Sequence, residues 1–460
     1  MPKETLKNLK ETKEGGKLKM KKCLKTKNGI TLIALVVTIV VLLILAGVSI
    51  SLVVDKNGII QKSKDARREY GQAKANEQED LSNLSDMIEE ATAEPPPKVD
   101  VNTKAGDNST INGKKGNSNN PTIPKNYIPI DTATSTWGDG STAPSQDSVN
   151  HGLVIKDEKN NEWVWIPVDK ATLATMYEES SDEKTLCGTT GETAVKTKLY
   201  SKSEIISGKI RTTPGTTSSY REPDLVVGSD GKSYDAQDTY YKTILGETGT
   251  KEQLAKLFVD EYKAMIESVS KYGGFYIGRY ELSEAGVQKD KETLTKTNWY
   301  NLYKKCTELN ASDKVKTQMI WGCQWDTTMN WLISSGAKTS NEVNTDSSSW
   351  GNYNNTSVKA NDGTTVLKAN GTPAKLSTGK TTFTMANNIY DLAGNCYEWT
   401  QEANYTYSRA YRGGNYVYNG SNSPASDRLI NDPDGSGNDG RRFSSHFNNK
   451  VILESINLSV

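Results

Sequence analysis

Histidine is almost absent from this chain: 460 residues contain only His151 and His446. Histidine-rich metal sites are thereby excluded, and a Ser-His-Asp triad would have to rest on one of the two, with no nucleophile-elbow motif beside either. Cysteine is nearly as scarce, and none of Cys23, Cys187, Cys306, Cys323 and Cys396 belongs to a C-x-x-C pair. That spacing rules out a zinc ribbon and a thioredoxin-like redox site. Four of the five would lie outside the membrane, which allows three complete pairings and selects none. Net charge is absent too, because 56 Lys and Arg balance 56 Asp and Glu. No global field therefore draws the chain to nucleic acid, and no nucleic-acid partner is expected.

What charge there is lies unevenly. Residues 1–29 form a lysine-rich leader, and an uncharged apolar run from Ile30 to Val54 follows it directly. Roughly 20 residues at about 1.5 Å each cross a bilayer as a helix, so this run is long enough to span. It is also too long for the apolar part of a cleaved signal peptide. Lysines before a spanning helix stay in the cytoplasm, which predicts a single-pass protein of the cell membrane with its C-terminal part outside the cell. The junction Gly29-Ile30-Thr31-Leu32-Ile33 resembles the processing site of type IV prepilins, in which a basic leader is cut after a glycine. That resemblance implies cleavage between Gly29 and Ile30 and pilin-like partners. Its pattern places a glutamate at the fifth position after the cut, where this chain has Ala34, so the group that meets a neighbouring subunit's amino terminus is missing. A plain signal anchor fits the same residues.

Beyond the membrane run, residues 55–94 read as a stalk helix. Ala66, Tyr70, Ala73, Leu81, Leu84, Ile88 and Ala91 recur at helical spacing, with Glu77 at the one polar step. Glu94-Pro95-Pro96-Pro97 ends it, since proline lacks the amide donor. Residues 95–126 are mostly Asn, Ser, Thr, Gly and Lys, too poor in large apolar side chains to order themselves, and are expected to be a flexible linker. A globular domain is expected over residues 127–460. It includes a strand at Trp163–Val168, a helix over Lys251–Lys271, a strand after Gly273-Gly274, and a helix over Asp326–Ser334, with long polar loops between them. Short strands, few helices and much loop indicate an α+β domain.

One loop carries candidate chemistry. Asp391-Leu392-Ala393-Gly394-Asn395-Cys396-Tyr397-Glu398 puts a carboxylate at each end of a Gly-broken segment with carbonyls between, an oxygen-rich set suited to a hard cation. A simple turn, with Asp391 solvated and Glu398 paired to an arginine, fits the spacing equally. Around this loop several landmarks fall in order: Trp165-Ile166-Pro167, Gly274–Glu281, Trp321–Trp331, Trp350-Gly351-Asn352, Asn388–Thr400 and Arg412-Gly413-Gly414-Asn415. Together they resemble the formylglycine-generating-enzyme, or sulfatase-modifying-factor, family, whose fold is a variant of the C-type lectin fold. The resemblance implies a C-type-lectin-like domain behind a long N-terminal transmembrane and stalk helix. It also implies a structural calcium held by the carboxylates of Asp391 and Glu398 and the carbonyls of Gly394 and Cys396.

Catalysis in that family requires two cysteines shortly after the Arg-Gly-Gly step, thiolates that bind copper. Here those positions hold Tyr418 and Ser423, and no cysteine follows Cys396. A phenol and a hydroxyl do not replace a thiolate pair for Cu(I), so no copper and no oxidase activity are expected. The segment is instead rich in Tyr, Asn, Ser and Asp, the mix of adaptable binding loops. Asn415, Tyr416, Tyr418, Asn419, Asn422, Asp427, Arg428, Asn431, Asp434, Asn438 and Arg442 are the expected contacts to an extracellular protein or glycan. The composition also resembles the variable proteins of diversity-generating retroelements. The leading expectation is a membrane-anchored adhesin or receptor-like binding protein with a catalytically silent domain. A diverged enzyme of the same family, and a minor pilin or pseudopilin with a structural head, are the alternatives.

Overall fold

The computed structural model describes residues 37–42, a scatter of residues between 62 and 77, and most of 94–455; the longest stretches left undescribed in the last range are 188–194, 202–219, 226–237 and 435–446. Two units are distinct, Met1–Ala93 and Glu94–Val460. In the first, residues 37–42 and Lys62, Ala66, Arg67, Glu69, Tyr70, Ala73 and Glu77 are helical and exposed. Among the described residues no helix is long and apolar enough to cross a membrane. The rest of the Ile30–Val54 run, the expected processing pair Gly29 and Ile30, and Leu81, Leu84, Ile88 and Ala91 lie outside the described residues.

The second unit is α+β with antiparallel sheets. Trp163-Val164-Trp165-Ile166 alternates sides as an extended chain must. Trp163 and Trp165 enter one core while Val164 and Ile166 enter another. The strand they form, Glu162–Pro167, pairs with Gly274–Gly278, whose Tyr276 and Phe275 divide in the same way. Seven strands make up this sheet, in the order Ile128–Ile130, Val154–Lys156, Glu162–Pro167, Gly274–Gly278, Val451–Ser455, Val315–Met319 and Ala311–Ser312. The C-terminal strand thus lies in the interior of the sheet, between two strands from far earlier in the chain. A smaller sheet orders Arg428–Asn431, Ser408–Arg412, Tyr397–Asn404 and Phe447–Asn448, the last pairing parallel.

Helix Lys251–Tyr272 follows the expected periodicity. Thr250 and Gln253 form a reciprocal capping box at its start, and Gly273 ends it in the left-handed conformation (φ 73°). Its buried face carries Leu254, Phe258, Tyr262, Met265 and Val269. The helix expected from Asp326 begins instead at Gly322. Glu222 takes the amides of Gly322 (2.5 Å) and Cys323 (3.3 Å), supplying a negative group to the open N-terminus from a remote segment. Cys306, Cys323 and Cys396 are buried, and among the described residues none of the three is joined in a disulfide.

Residues 95–126 are not a free linker. Val99, Ala105, Ile111 and Ile123 are all buried in the first core. Their backbone is closed by Val99 N–H to Thr110 O (3.2 Å), Thr110 N–H to Pro97 O (3.1 Å) and Ile123 N–H to Ser109 O (2.7 Å). The core reaches back to them: Trp165 Nε1 donates to Ser118 O (2.9 Å) and the Tyr276 hydroxyl to Thr122 O (3.0 Å). Four apolar anchors suffice because the aromatic wall of the sheet supplies the rest of the buried surface. The folded unit therefore begins near Glu94 rather than Tyr127. Ile123→Ala is expected to lower the unfolding free energy of the whole chain by about 2–4 kcal/mol in urea titrations followed by tryptophan fluorescence. A loose linker would give no change.

Candidate functional site

The landmark residues, scattered over more than half the chain, meet around the Asn388–Thr400 segment. Arg279 pairs with Glu162 (2.6 Å) and donates to Asn388 O and Oδ1 (both 3.1 Å). Glu281 accepts from Asn395 Nδ2 (2.6 Å) and Cys396 N (3.2 Å). Asn352 Nδ2 donates to Asn395 Oδ1 (2.9 Å), and Gly394 N–H to Gly413 O (2.7 Å), an acceptor shared with the Tyr353 hydroxyl (2.9 Å).

Within this lattice Asp391, Glu281 and Glu398 form a buried acidic group. Asp391 adopts a positive φ of 61° and its Oδ2 accepts from Thr378 Oγ1 and Gly379 N, both at 2.9 Å. Glu398 is different, since among the described residues neither carboxylate oxygen has a hydrogen-bond partner although the residue is fully buried. Burial, and then the charges of Glu281 and Asp391, push its carboxyl well above the usual range, and the buried Lys450 ammonium partly offsets this. Gly413 lets the carboxylate come this close, for a Cβ there would lie 2.3 Å from Glu398 Oε2. Among the described residues no group of three or more His, Cys, Asp and Glu side chains is arranged to hold a metal ion. Glu398 has the unmet need that a hard cation would satisfy, whereas Asp391 already spends one oxygen on two donors.

A second buried charge cluster escapes sequence reasoning altogether. Arg412 and Arg428 face each other in register across neighbouring strands. Asp326 bridges them, its Oδ1 to Arg412 Nη2 and its Oδ2 to Arg428 Nη2, each at 2.5 Å. Glu402 Oε2 completes the ring at 3.0 Å from Arg428 Nε and 3.8 Å from Arg412 Nη1. All four side chains are at most 7% exposed. The loop from Gly413 to Asp427 starts and ends at this ring. Trp325, one helical step from Asp326, also holds it by donating to Ala425 O (3.1 Å).

Along its length the loop is stitched to residues 343–355. Asn354 N–H donates to Tyr418 O (2.9 Å), Ser347 N–H to Gly420 O (3.3 Å) and Ser426 N–H to Val343 O (3.1 Å). Gly420 N–H donates to Asn355 Oδ1 (3.0 Å) and Ala425 N–H to Ser347 Oγ (2.9 Å). The expected contact residues consequently divide. Tyr418 and Asn422 are exposed, and Tyr416, Asn419, Asn431 and Asp434 are half-buried. Asn415, Asp427 and Arg428 are buried, which removes them from any recognition surface. Asn415 Oδ1 folds the loop by accepting from Val417 N (2.9 Å) and Tyr418 N (3.3 Å), and Arg428 belongs to the ring. Asn438 and Arg442 lie outside the described residues. Tyr418 and Ser423, the two positions aligned with the copper-binding thiols, flank Tyr397: its hydroxyl is 3.2 Å from Ser423 Oγ and its ring centroid 6.3 Å from that of Tyr418.

No family model matches the chain, and no curated protein does so. Among solved structures it is similar to Treponema denticola variable protein 1, at 15% identity over 39% of this chain and 84% of that one, with a TM-score of 0.25.

Asp326→Asn leaves two buried guanidinium groups short of a counter-charge, and is expected to cost about 3–5 kcal/mol in urea denaturation of the whole chain. Tyr418→Ala, at the exposed tip, should cost about 1 kcal/mol or less. Equal costs for the two would refute the division into frame and surface.

Proposed function

We propose that the chain is a membrane-anchored surface protein that presents a catalytically silent, C-type-lectin-like domain of the formylglycine-generating-enzyme type, and that the Gly413–Asp427 loop recognises an external protein or glycan. One observation carries the reading: the loop's buried polar residues are consumed by its own frame, so that Tyr416, Tyr418, Asn419, Ser421 and Asn422 are left facing outward or half-outward without charge. A frame with fixed ends and adaptable tips is the design of a binding loop. The domain type is supported by the way the family landmarks interlock around Asn395, Glu281 and Gly413. Silence as an oxidase is supported by Tyr418 and Ser423, a phenol and a hydroxyl, at the two positions expected for copper-binding thiols. The anchor rests on Ile30–Val54 and the basic leader before it. Retroelement diversification rests on the loop's composition, and a near copy of its coding segment beside a reverse-transcriptase gene would bear it out.

Intact cells displaying the chain are expected to capture a ligand from a panel of glycans and surface proteins, and to lose that capture when protease is added outside. A Tyr416→Ala, Tyr418→Ala double variant should reach the surface at the same level yet bind at least tenfold more weakly, a loss of about 1.4 kcal/mol or more. Undiminished capture by that variant would remove the loop from the site.

A structural calcium belongs to the same reading, held by Glu398, Asp391 and the main-chain oxygens of Gly394 and Cys396. Its support is the pair of unsatisfied Glu398 oxygens. Calcium at roughly 100-fold excess over its dissociation constant is then expected to raise the melting midpoint by about 3–6 °C. Protons compete for a carboxyl whose pKa is raised in the fold, so the rise should be larger at about pH 7 than at about pH 5. Glu398→Gln should abolish it, and identical melting curves with calcium and with chelator would exclude the ion.

A further inference from the structure

The surface around Tyr418 is built by two loops, of which sequence composition points to only one. Residues 345–357 run beside the recognition loop and meet it so closely that a Cβ on Gly420 would fall 2.4 Å from Ser348 N. This second loop brings Asn354 and Asn355, both half-buried, to the edge of the exposed Tyr418. Asn355 is held by its Oδ1, which accepts from Gly420 N (3.0 Å), and its Nδ2 has no partner among the described residues. The Tyr418 ring leans on Tyr397 at an interplanar angle of 41° and stays 36% exposed.

Among the described residues charge is sparse in this patch, with Asp346 the one carboxylate beside Gly420. Asp427 and Arg428 are buried, and Asp346, the nearest acid on the second loop, is half-buried with Oδ1 accepting from Ser348 N (2.9 Å). An anionic ligand would lose hydration here and find no cation among the described residues, and a cationic one would meet only Asp346, which already accepts from Ser348 N. Large apolar side chains are equally sparse. In the folded unit, among the described residues, only Val366 and Tyr418 are exposed ones. A protein partner would need a broader aromatic or aliphatic centre to exclude water. What remains is the exposed Tyr418 face, with half-buried Tyr416 in the same loop, beside carboxamides, and each carboxamide offers both donors and an acceptor. Sugar rings present the matching chemistry, with apolar C–H faces and uncharged hydroxyls that both donate and accept.

We infer that the ligand is a neutral glycan, stacked on Tyr418 and hydrogen-bonded by the Asn355 Nδ2 of the second loop. The inference rests on the recognition reading above and narrows it to one ligand class and one additional specificity residue.

The test uses the full-length chain on beads with mannan, galactan and chitin oligosaccharides as neutral probes and heparin and hyaluronan as anionic ones. At least one neutral probe should bind, with affinity changing less than about twofold between roughly 0.05 M and 0.5 M salt. Tyr418→Ala should weaken binding about tenfold or more. Asn355→Asp keeps an oxygen for Gly420 N–H while removing the donor, and should weaken it by about five- to tenfold with an unchanged melting midpoint. Neutral binding that ignores Asn355→Asp overturns the role of the second loop. Binding confined to the anionic probes, or to no glycan, overturns the ligand class. If a protein ligand is then captured through Tyr418, the broader recognition reading survives alone; if Tyr418→Ala affects no captured ligand, both fall.

Discussion

Arg412 and Arg428 stand directly opposite each other on adjacent strands, where like charges normally push a sheet apart. They can do so only because Asp326 and Glu402 bind both. Four buried charges are a poor source of stability, since desolvation takes back most of the Coulomb attraction. Their value lies in geometry. The ring joins the strand residue at which the Gly413–Asp427 loop leaves the sheet to the one at which it returns. Between those two points the seam with residues 343–355 and the Asn415 side chain shape the loop that leaves Tyr418 exposed.

The step after Arg412 shows how tightly neighbouring demands are packed. Gly413 makes room for the Glu398 carboxylate, and a Cβ on Gly414 would meet Ser423 O at 2.3 Å. Both glycines have positive φ, 89° and 75°, which any other residue would adopt only with strain. Three consecutive residues therefore serve the charge ring, the acidic lattice and the return of the loop. A motif this short can stand for a whole arrangement because each position answers to a different partner.

Legibility in the sequence tracked the distance between cause and effect. The Lys251–Tyr272 helix and the Glu162–Pro167 strand were readable because periodicity, capping box and terminal glycine all lie within the segment. The true start of the Gly322–Ser334 helix was not, because Trp321 at its N-cap is not a capping residue type and the carboxylate on its first two amides, Glu222, is 100 residues away. The 95–126 segment misled for a related reason: composition counts apolar residues and cannot see that Ile111 and Ile123 have an aromatic wall to enter. At the site, polarity alone did not separate Arg428 and Asp427, which face inward, from Tyr418 and Asn422, which face out. The partner that decides Arg428 is Asp326, 102 residues earlier. Nothing local marks Asn355 as Tyr418's neighbour either, since their loops meet only in the fold.

The interior position of Val451–Ser455 also dictates when the domain can form. Its two flanking strands, Gly274–Gly278 and Val315–Met319, have no other means of joining, so a ribosome must deliver residue 455 before the larger sheet can close. Until then both neighbours offer bare edges to any other extended chain. Contacts of such long sequence separation also form slowly. In a chain still being synthesised, those two edges stay open until the last of the seven strands has emerged.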